Sequence, residues 1–250
     1  MIPYTVIPYT TAVVTGASGG IGRAIVDELV RLGMHVHALA LPDAALDELN
    51  GLGSVTVHGV DVRDTRTLTS ILAAIEVDVL INNAGIIGDL EPAQHSTTAV
   101  ADALIDINLR AAVQATLSVL PGMVRRNVGH IVFTGSIAAS RPTANSAIYS
   151  ATKAGLQAFA DGLRMDLHGA SVRVTVLAPG RVETNLYDQA MGGHDVAAAR
   201  LYAGATALQP ADIASVVGMA LSMPAHVDVT RIEVVPTAQV FGGSKVAEMG

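Results

Sequence analysis

From residue 11 onward, short apolar and β-branched runs alternate with longer stretches of helical periodicity. The runs TAVVT (11–15), HVHALA (35–40), SVTVHGV (54–60), VDVLIN (77–82), GHIVFTG (129–135), VRVTVLA (172–178) and RIEVV (231–235) predict seven strands. Several are apolar on both faces, as strands covered by helices on both sides must be. Between them, IGRAIVDELVRLG sets Ile21, Ala24, Ile25, Leu29 and Leu32 along one stripe, the pattern of a helix with one buried face. Repeated strand–helix–strand units predict an α/β fold, a doubly wound parallel sheet with helices on both faces. No Pro/Ser/Gly linker divides residues 11–250, so they form one domain. Residues 1–10 are expected to be an extended N-terminal arm. There Ile2-Pro3-Tyr4-Thr5 returns as Ile7-Pro8-Tyr9-Thr10, but two copies of four residues are too few for a structural repeat.

Composition narrows the function classes. Half of the 250 residues are hydrophobic and 15% are charged, which excludes a disordered chain and suits a compact body. The net charge of −7 comes without a Lys/Arg cluster, which argues against a nucleic-acid partner. No uninterrupted apolar run reaches the ~18 residues of a membrane span, and MIPYTVIPYT lacks the basic start and apolar core of a secretory signal. Zero cysteines exclude disulfides and thiolate metal sites. The eight histidines show no HExxH or other ligand spacing, so no metal is expected. A cytoplasmic enzyme acting on a small molecule is the default expectation.

In a doubly wound sheet, ligands bind beyond the carboxyl ends of the strands. The first predicted strand ends in Thr15-Gly16-Ala17-Ser18-Gly19-Gly20-Ile21-Gly22 and runs directly into a helix. Glycines allow a tight turn and close approach to a pyrophosphate, whose charge is met by the helix N-terminus. The same turn could serve packing alone, but the order strand, turn, helix favours a dinucleotide. No Gly-Lys-Ser/Thr follows, so it is not a nucleoside-triphosphate loop. The fold is therefore expected to be of the Rossmann type.

The sequence resembles the short-chain dehydrogenase/reductase family. TGASGGIG (15–22) is similar to its cofactor turn and Asn82-Asn83-Ala84-Gly85 to its NNAG motif. Asn108, Ser136, YSATK (149–153) and Pro179-Gly180 follow in the family's order and spacing. The segments 120–131, 163–169 and 208–240 resemble the branch containing 3-hydroxy acid (serine-type) dehydrogenases. The resemblance implies a catalytic set of Asn108, Ser136, Tyr149 and Lys153. Tyr149 is the candidate general acid/base, and Lys153, at i+4 on the same helical face, is expected to lower its pKa and to contact the nicotinamide ribose. Ser136 would orient the substrate oxygen, and Asn108 would support a water in the proton relay. Taken singly, Ser136 could be a turn residue and Asn108 a buried amide.

The implied cofactor contacts are Gly16, Ser18, Gly19, Gly20, Ile21 and Gly22 in the turn, Asn83, Ala84 and Gly85 beside the adenosine, and Asp61 with Val62 at the adenine. Pro179, Gly180, Val182 and Thr184 would frame the nicotinamide and pyrophosphate, alongside Tyr149 and Lys153. Asp61 could equally cap a helix. Ala40 and Leu41 stand where an acid would select NAD, or a basic residue NADP. Neither is charged, so the expectation leans to NAD, with Asp43 reaching a ribose hydroxyl, and NADP is the other possibility.

For an anionic substrate, Arg141 and Arg181 are the candidate anchors beside Ser136 and Tyr149, or else they are solvated or paired with acids. Residues 185–207 could form a lid over substrate or an ordinary surface loop. The expected activity is hydride transfer between a nicotinamide cofactor and a small alcohol or hydroxy acid, or its aldehyde or ketone. An NADPH-dependent reductase of a small aldehyde, acidic or sulfonated ones included, is the first alternative. A lyase of the same fold or a nucleotide-sensing protein is the second. The resemblance also implies a homotetramer packed through helices near 99–126 and 147–169.

Overall fold

The computed structural model describes residues 9–201 and 206–239. Seven strands form one sheet: β1 (Thr11–Thr15), β2 (His35–Ala40), β3 (Val55–Gly59), β4 (Val79–Asn82), β5 (Gly129–Thr134), β6 (Val172–Pro179) and β7 (Arg231–Val234). All neighbours pair in parallel, in the order β3-β2-β1-β4-β5-β6-β7. The expected strands are all present. The third and fourth start one and two residues later than periodicity suggested, because Ser54, Val77 and Asp78 lead into the ladder rather than pair within it.

The helices are α1 (Gly20–Arg31), α2 (Ala44–Asp47), α3 (Thr65–Ala73), α4 (Thr98–Ile105), α5 (Ala111–Arg126), α6 (Ala147–Asp166), α7 (Asp188–Met191), α8 (His194–Leu201) and α9 (Pro210–Leu221). One face of the sheet is covered by α1 and α9, where Ile25, Leu29, Ile213 and Val217 pack on Val14, Val36 and Ile81. The other face carries α3, α5 and α6, where Leu68, Val119, Met123 and Leu156 pack on Val13, Leu80 and Phe133. Two apolar faces need two helical layers, which is the reason for continuous apolar strands such as VLIN.

A wider turn at Asp106–Arg110 joins α4 to α5 without interrupting the helical run Thr98–Arg126. That run amends the expectation about apolar length. It is 29 residues long, and mean hydropathy over its most apolar stretch is 1.3, so length and composition alone would let it cross a membrane. In the fold, Ala115, Val119 and Met123 spend its apolar face in the core beneath the sheet, and Leu104 is buried near the Gly88 loop.

The arm expected over 1–10 ends inside the body of the protein, and residues 1–8 lie outside the described residues. The Tyr9 Oη accepts from Arg173 Nη2 at 3.0 Å and Nε at 3.2 Å. Asp78 Oδ2 accepts from Thr10 N at 2.9 Å and Thr11 N at 3.2 Å. Arg173, 4% exposed, also donates to Leu221 O at 2.9 Å and Val227 O at 3.1 Å, satisfying carbonyls around the end of α9. Tyr9 and Thr10 thus close the sheet's amino-terminal end, far from the strands' carboxyl ends.

Candidate active site

The sheet reverses strand order between β1 and β4, and a cavity of about 900 Å³ opens over this point, beyond the strands' carboxyl ends. One part of its wall is the glycine turn. Gly16 (φ +64°) and Gly20 (φ +48°) take left-handed conformations, and a Cβ on Gly16 would come within 2.9 Å of Ala84 Cα. The α1 N-cap, Gly19, supplies no side-chain cap, so the helix's first amides face the cavity without one. A cradle that a Cβ would crowd, with open helix donors above it, fits a dinucleotide pyrophosphate.

The NNAG loop is tied to this turn. Thr15 Oγ1 accepts from Asn83 N at 3.0 Å and Ala84 N at 3.1 Å, while Asn83 Nδ2 donates to Thr15 O at 3.2 Å and Gly16 O at 3.1 Å. Asn83, Ala84 and Gly85 line the cavity with Gly16, Gly19, Gly20 and Ile21, and Pro179, Gly180, Val182 and Thr184 line it from β6 and beyond. Gly180 is held by its N–H to Val234 O at 2.7 Å.

Ser136, Tyr149 and Lys153 meet on the same wall. Ser136 leaves β5 and caps a short 3₁₀ turn, accepting from Ala138 N at 3.1 Å. Tyr149 and Lys153 project from the first turns of α6. Burial pushes the Tyr149 phenol above its ordinary value, and a hydrogen bond with Ser136 works in the opposite direction without cancelling it. The expectation that Lys153 pulls this pKa down is therefore not met, because desolvation dominates. Lys153 is 4% exposed, and burial lowers its own pKa to about 8. Its Nζ donates to Thr134 O at 2.8 Å and stands 5.8 Å from the centre of the Tyr149 ring.

Asn108 sits in the wide turn Asp106–Arg110, 1% exposed. Its Oδ1 accepts from Ile86 N at 2.8 Å, and its Nδ2 donates to Ile86 O at 2.9 Å and Thr152 Oγ1 at 3.2 Å. Thr152 Oγ1 in turn donates to Tyr149 O at 2.7 Å. Asn108 thus locks the loop after β4 to the helix that carries Tyr149.

Other candidates stand off the cavity wall. Arg141 pairs with Glu233 at 2.5 Å, and Arg181 Nη1 donates to Leu201 O at 2.7 Å; neither guanidinium lines the cavity. Asp61 is engaged by Arg63, which holds its carboxyl below the usual range, and Val62 is buried. Gly22 is not among the cavity-lining residues, and a Cβ there would run into Gly16 O, so the turn packs on itself at this position. Ala40 is buried, whereas Leu41 is 57% exposed. Ser18 Oγ donates to Asp43 Oδ2 at 3.3 Å, and Asp43 Oδ1 accepts from Leu46 N at 2.7 Å. Asp43 therefore stands beside the glycine turn, at the end of β2.

Residues that sequence reasoning did not single out also belong to the wall, namely Thr134, Asp89, Glu91, Tyr187 and Asp188. The Thr134 contribution is a backbone carbonyl, which no motif encodes. Tyr187 and Asp188 fall within 185–207, where the described part is a 3₁₀ turn (Asn185–Tyr187), α7 and α8. Among the described residues no cluster of three or more His, Asp or Glu side chains could hold a metal.

Known proteins share this arrangement. A family profile described as short chain dehydrogenase matches residues 10–192. An uncharacterized short-chain type dehydrogenase/reductase of Sinorhizobium fredii is 44% identical over 96% of this chain and 97% of its own. The NADP-dependent 3-hydroxy acid dehydrogenase YdfG of Salmonella typhi is 39% identical over 93% of this chain and 97% of its own. A closed form of serine dehydrogenase complexed with NADP+ superposes with a TM-score of 0.89 at 36% identity, covering 96% of this chain and all of that one.

Proposed function

The chain belongs to the short-chain dehydrogenase/reductase family, as a nicotinamide-dependent oxidoreductase of CH–OH groups, and on that premise we propose how its residues divide the work. The observation that carries the assignment is the convergence of Ser136, Tyr149 and Lys153 on the cavity that the glycine turn also lines. The bound nicotinamide supplies or accepts the hydride. Tyr149 Oη gives a proton to the carbonyl oxygen in reduction and takes it from the hydroxyl in oxidation. Ser136 Oγ donates to the same oxygen and fixes its position. Lys153 holds the ribose end of the cofactor. Asn108 positions these groups through Ile86 and Thr152.

Gly16, Gly19, Gly20 and Ile21 would receive the pyrophosphate, Asn83 to Gly85 the adenosine side, and Pro179 to Thr184 the nicotinamide. Residues 185–207, of which 202–205 lie outside the described residues, would act as the lid. The set of proton-transfer groups disfavours a sensor without turnover, and the intact glycine turn with Lys153 disfavours a lyase. A cytoplasmic homotetramer is the proposed working form.

For the cofactor we propose NAD rather than NADP, a departure from the relatives named for NADP. The support is local. Asp43 stands 3.3 Å from Ser18 Oγ, and residues 15–22 and 40–43 contain no Lys or Arg before the helix takes over. A 2′-phosphate would meet a carboxylate there, whereas ribose hydroxyls would find an acceptor. Parallel titrations following nicotinamide fluorescence test this: NADH should bind at least about tenfold more tightly than NADPH, a difference of roughly 1.4 kcal/mol. Tighter NADPH binding would overturn the assignment to Asp43.

A further inference from the structure

At the sheet edge far from β7, a group of histidines lies outside the chemistry described above. His35 and His37 alternate along β2 onto one face, and the edge strand β3 sets Thr56 opposite His37 and His58 opposite Leu39 on that face. None of the three histidines lines the cavity. Diagonal contacts join the two strands: His35 Nε2 meets Thr56 Oγ1 at 2.9 Å, and His37 Nδ1 meets His58 Nε2 at 3.0 Å.

The His37–His58 pair is held in place from both sides. The His37 ring stacks on His58 with centroids 5.3 Å apart, and His35 meets His37 edge-on at 5.0 Å. Both residues of the pair are partly buried, which leaves them next to solvent at the sheet edge. Burial, and then the neighbouring imidazoles, lowers the pKa of His37 to about 4, and burial lowers that of His58 as well. Both rings are therefore neutral at neutral pH, the form that ligates metals.

We propose that His37 Nδ1 and His58 Nε2 chelate a divalent transition metal, with copper(II) or nickel(II) preferred over zinc. The separation decides the preference. With metal–nitrogen bonds of about 2.0–2.1 Å, nitrogens 3.0 Å apart subtend roughly 91–97°, near the right angle of a square or octahedral centre, whereas a tetrahedral zinc pair needs about 3.3–3.4 Å. Among the described residues no third His, Asp or Glu completes the set, so water fills the remaining positions. The facing nitrogens share one N–H. The metal takes its place, and that proton moves to the other nitrogen of the same ring, so both imidazoles stay neutral. The bound ion ties the edge strand to β2 and stabilises the folded chain by mass action. The pair forms across two strands, from residues 21 apart, which is why no ligand spacing marked it in the sequence. The site is independent of the oxidoreductase assignment.

The test is calorimetric titration of the untagged full chain with copper(II), nickel(II) and zinc chlorides near neutral pH. The tightest site should take one ion per chain, with affinity falling in the order copper, nickel, zinc. His37→Gln and His58→Gln should each weaken nickel binding by at least about tenfold, and His95→Gln, which removes an exposed histidine elsewhere, by less than about twofold. Nickel should raise the Tm of the wild type, reversibly with EDTA, and leave that of His58→Gln unmoved. Electron paramagnetic resonance of the copper-loaded wild type needs no variant, and should show hyperfine splitting from two nitrogen donors. Copper held by fewer than two nitrogens, zinc bound more tightly than nickel, or full nickel affinity in His37→Gln and His58→Gln overturns the inference.

Discussion

At the scale of single residues, the lysine of the YSATK motif is both legible in the sequence and costly in the fold. Its spacing from Tyr149 is visible in the sequence because i and i+4 share a helical face. Its cost appears only in the fold, where burial lowers its pKa from 10.5 to about 8. Below about pH 8 the folded protein holds a buried ammonium that the unfolded chain would solvate. Between about 8 and 10.5 the unfolded state binds the proton and the folded state does not, so stability rises with pH across that window. The shift sets a ceiling of roughly 3 kcal/mol. Lys153→Met should therefore abolish turnover yet raise the melting temperature by several degrees at neutral pH, with the gain shrinking toward pH 10. Thermal unfolding across that range checks it, and a destabilised variant at neutral pH would contradict the assignment. The partner of that ammonium was not legible in the same way, because Thr134 offers a backbone carbonyl that no motif encodes.

At the scale of elements, the alternation of apolar runs and amphipathic stretches was enough to expect the sheet and its two helical layers. Strand ends were less legible, since Asp78 is spent on Thr10 and Thr11 rather than on extending β4. The wide turn at Asp106–Arg110 left no compositional trace, because one extra residue per turn changes geometry without changing periodicity over so short a span. The Tyr9–Arg173 contact joins residues far apart in sequence and could not be read locally. The outer faces of α5 and α6 are apolar in places, with Leu117, Val124 and Met165 exposed by 52%, 43% and 77%. Such side chains on the two longest helices support packing against further copies of the chain. Light scattering of the purified protein should give four times the chain mass of 25.6 kDa, and a monomer mass would refute the tetramer.

At the scale of the whole molecule, the cavity lies where strand order reverses, and every motif read from the sequence after a strand lands at that end of the sheet. The proton-transfer groups were legible because their chemistry demands particular residue types in a particular order. The surroundings of the candidate substrate anchors were not, because they depend on which charged side chains the fold pairs with one another. Arg141 and Arg181 turn to partners of their own.

The measurement that tests the central claim most directly is turnover of Tyr149→Phe beside the wild type, with cofactor binding measured on the same samples. The phenyl ring preserves the shape of the wall and removes only the proton donor. The variant should bind reduced nicotinamide as the wild type does and lose turnover by roughly a hundred- to ten-thousandfold. Turnover within about tenfold of wild type, with binding intact, would contradict the account of Tyr149 as the acid and base of this site.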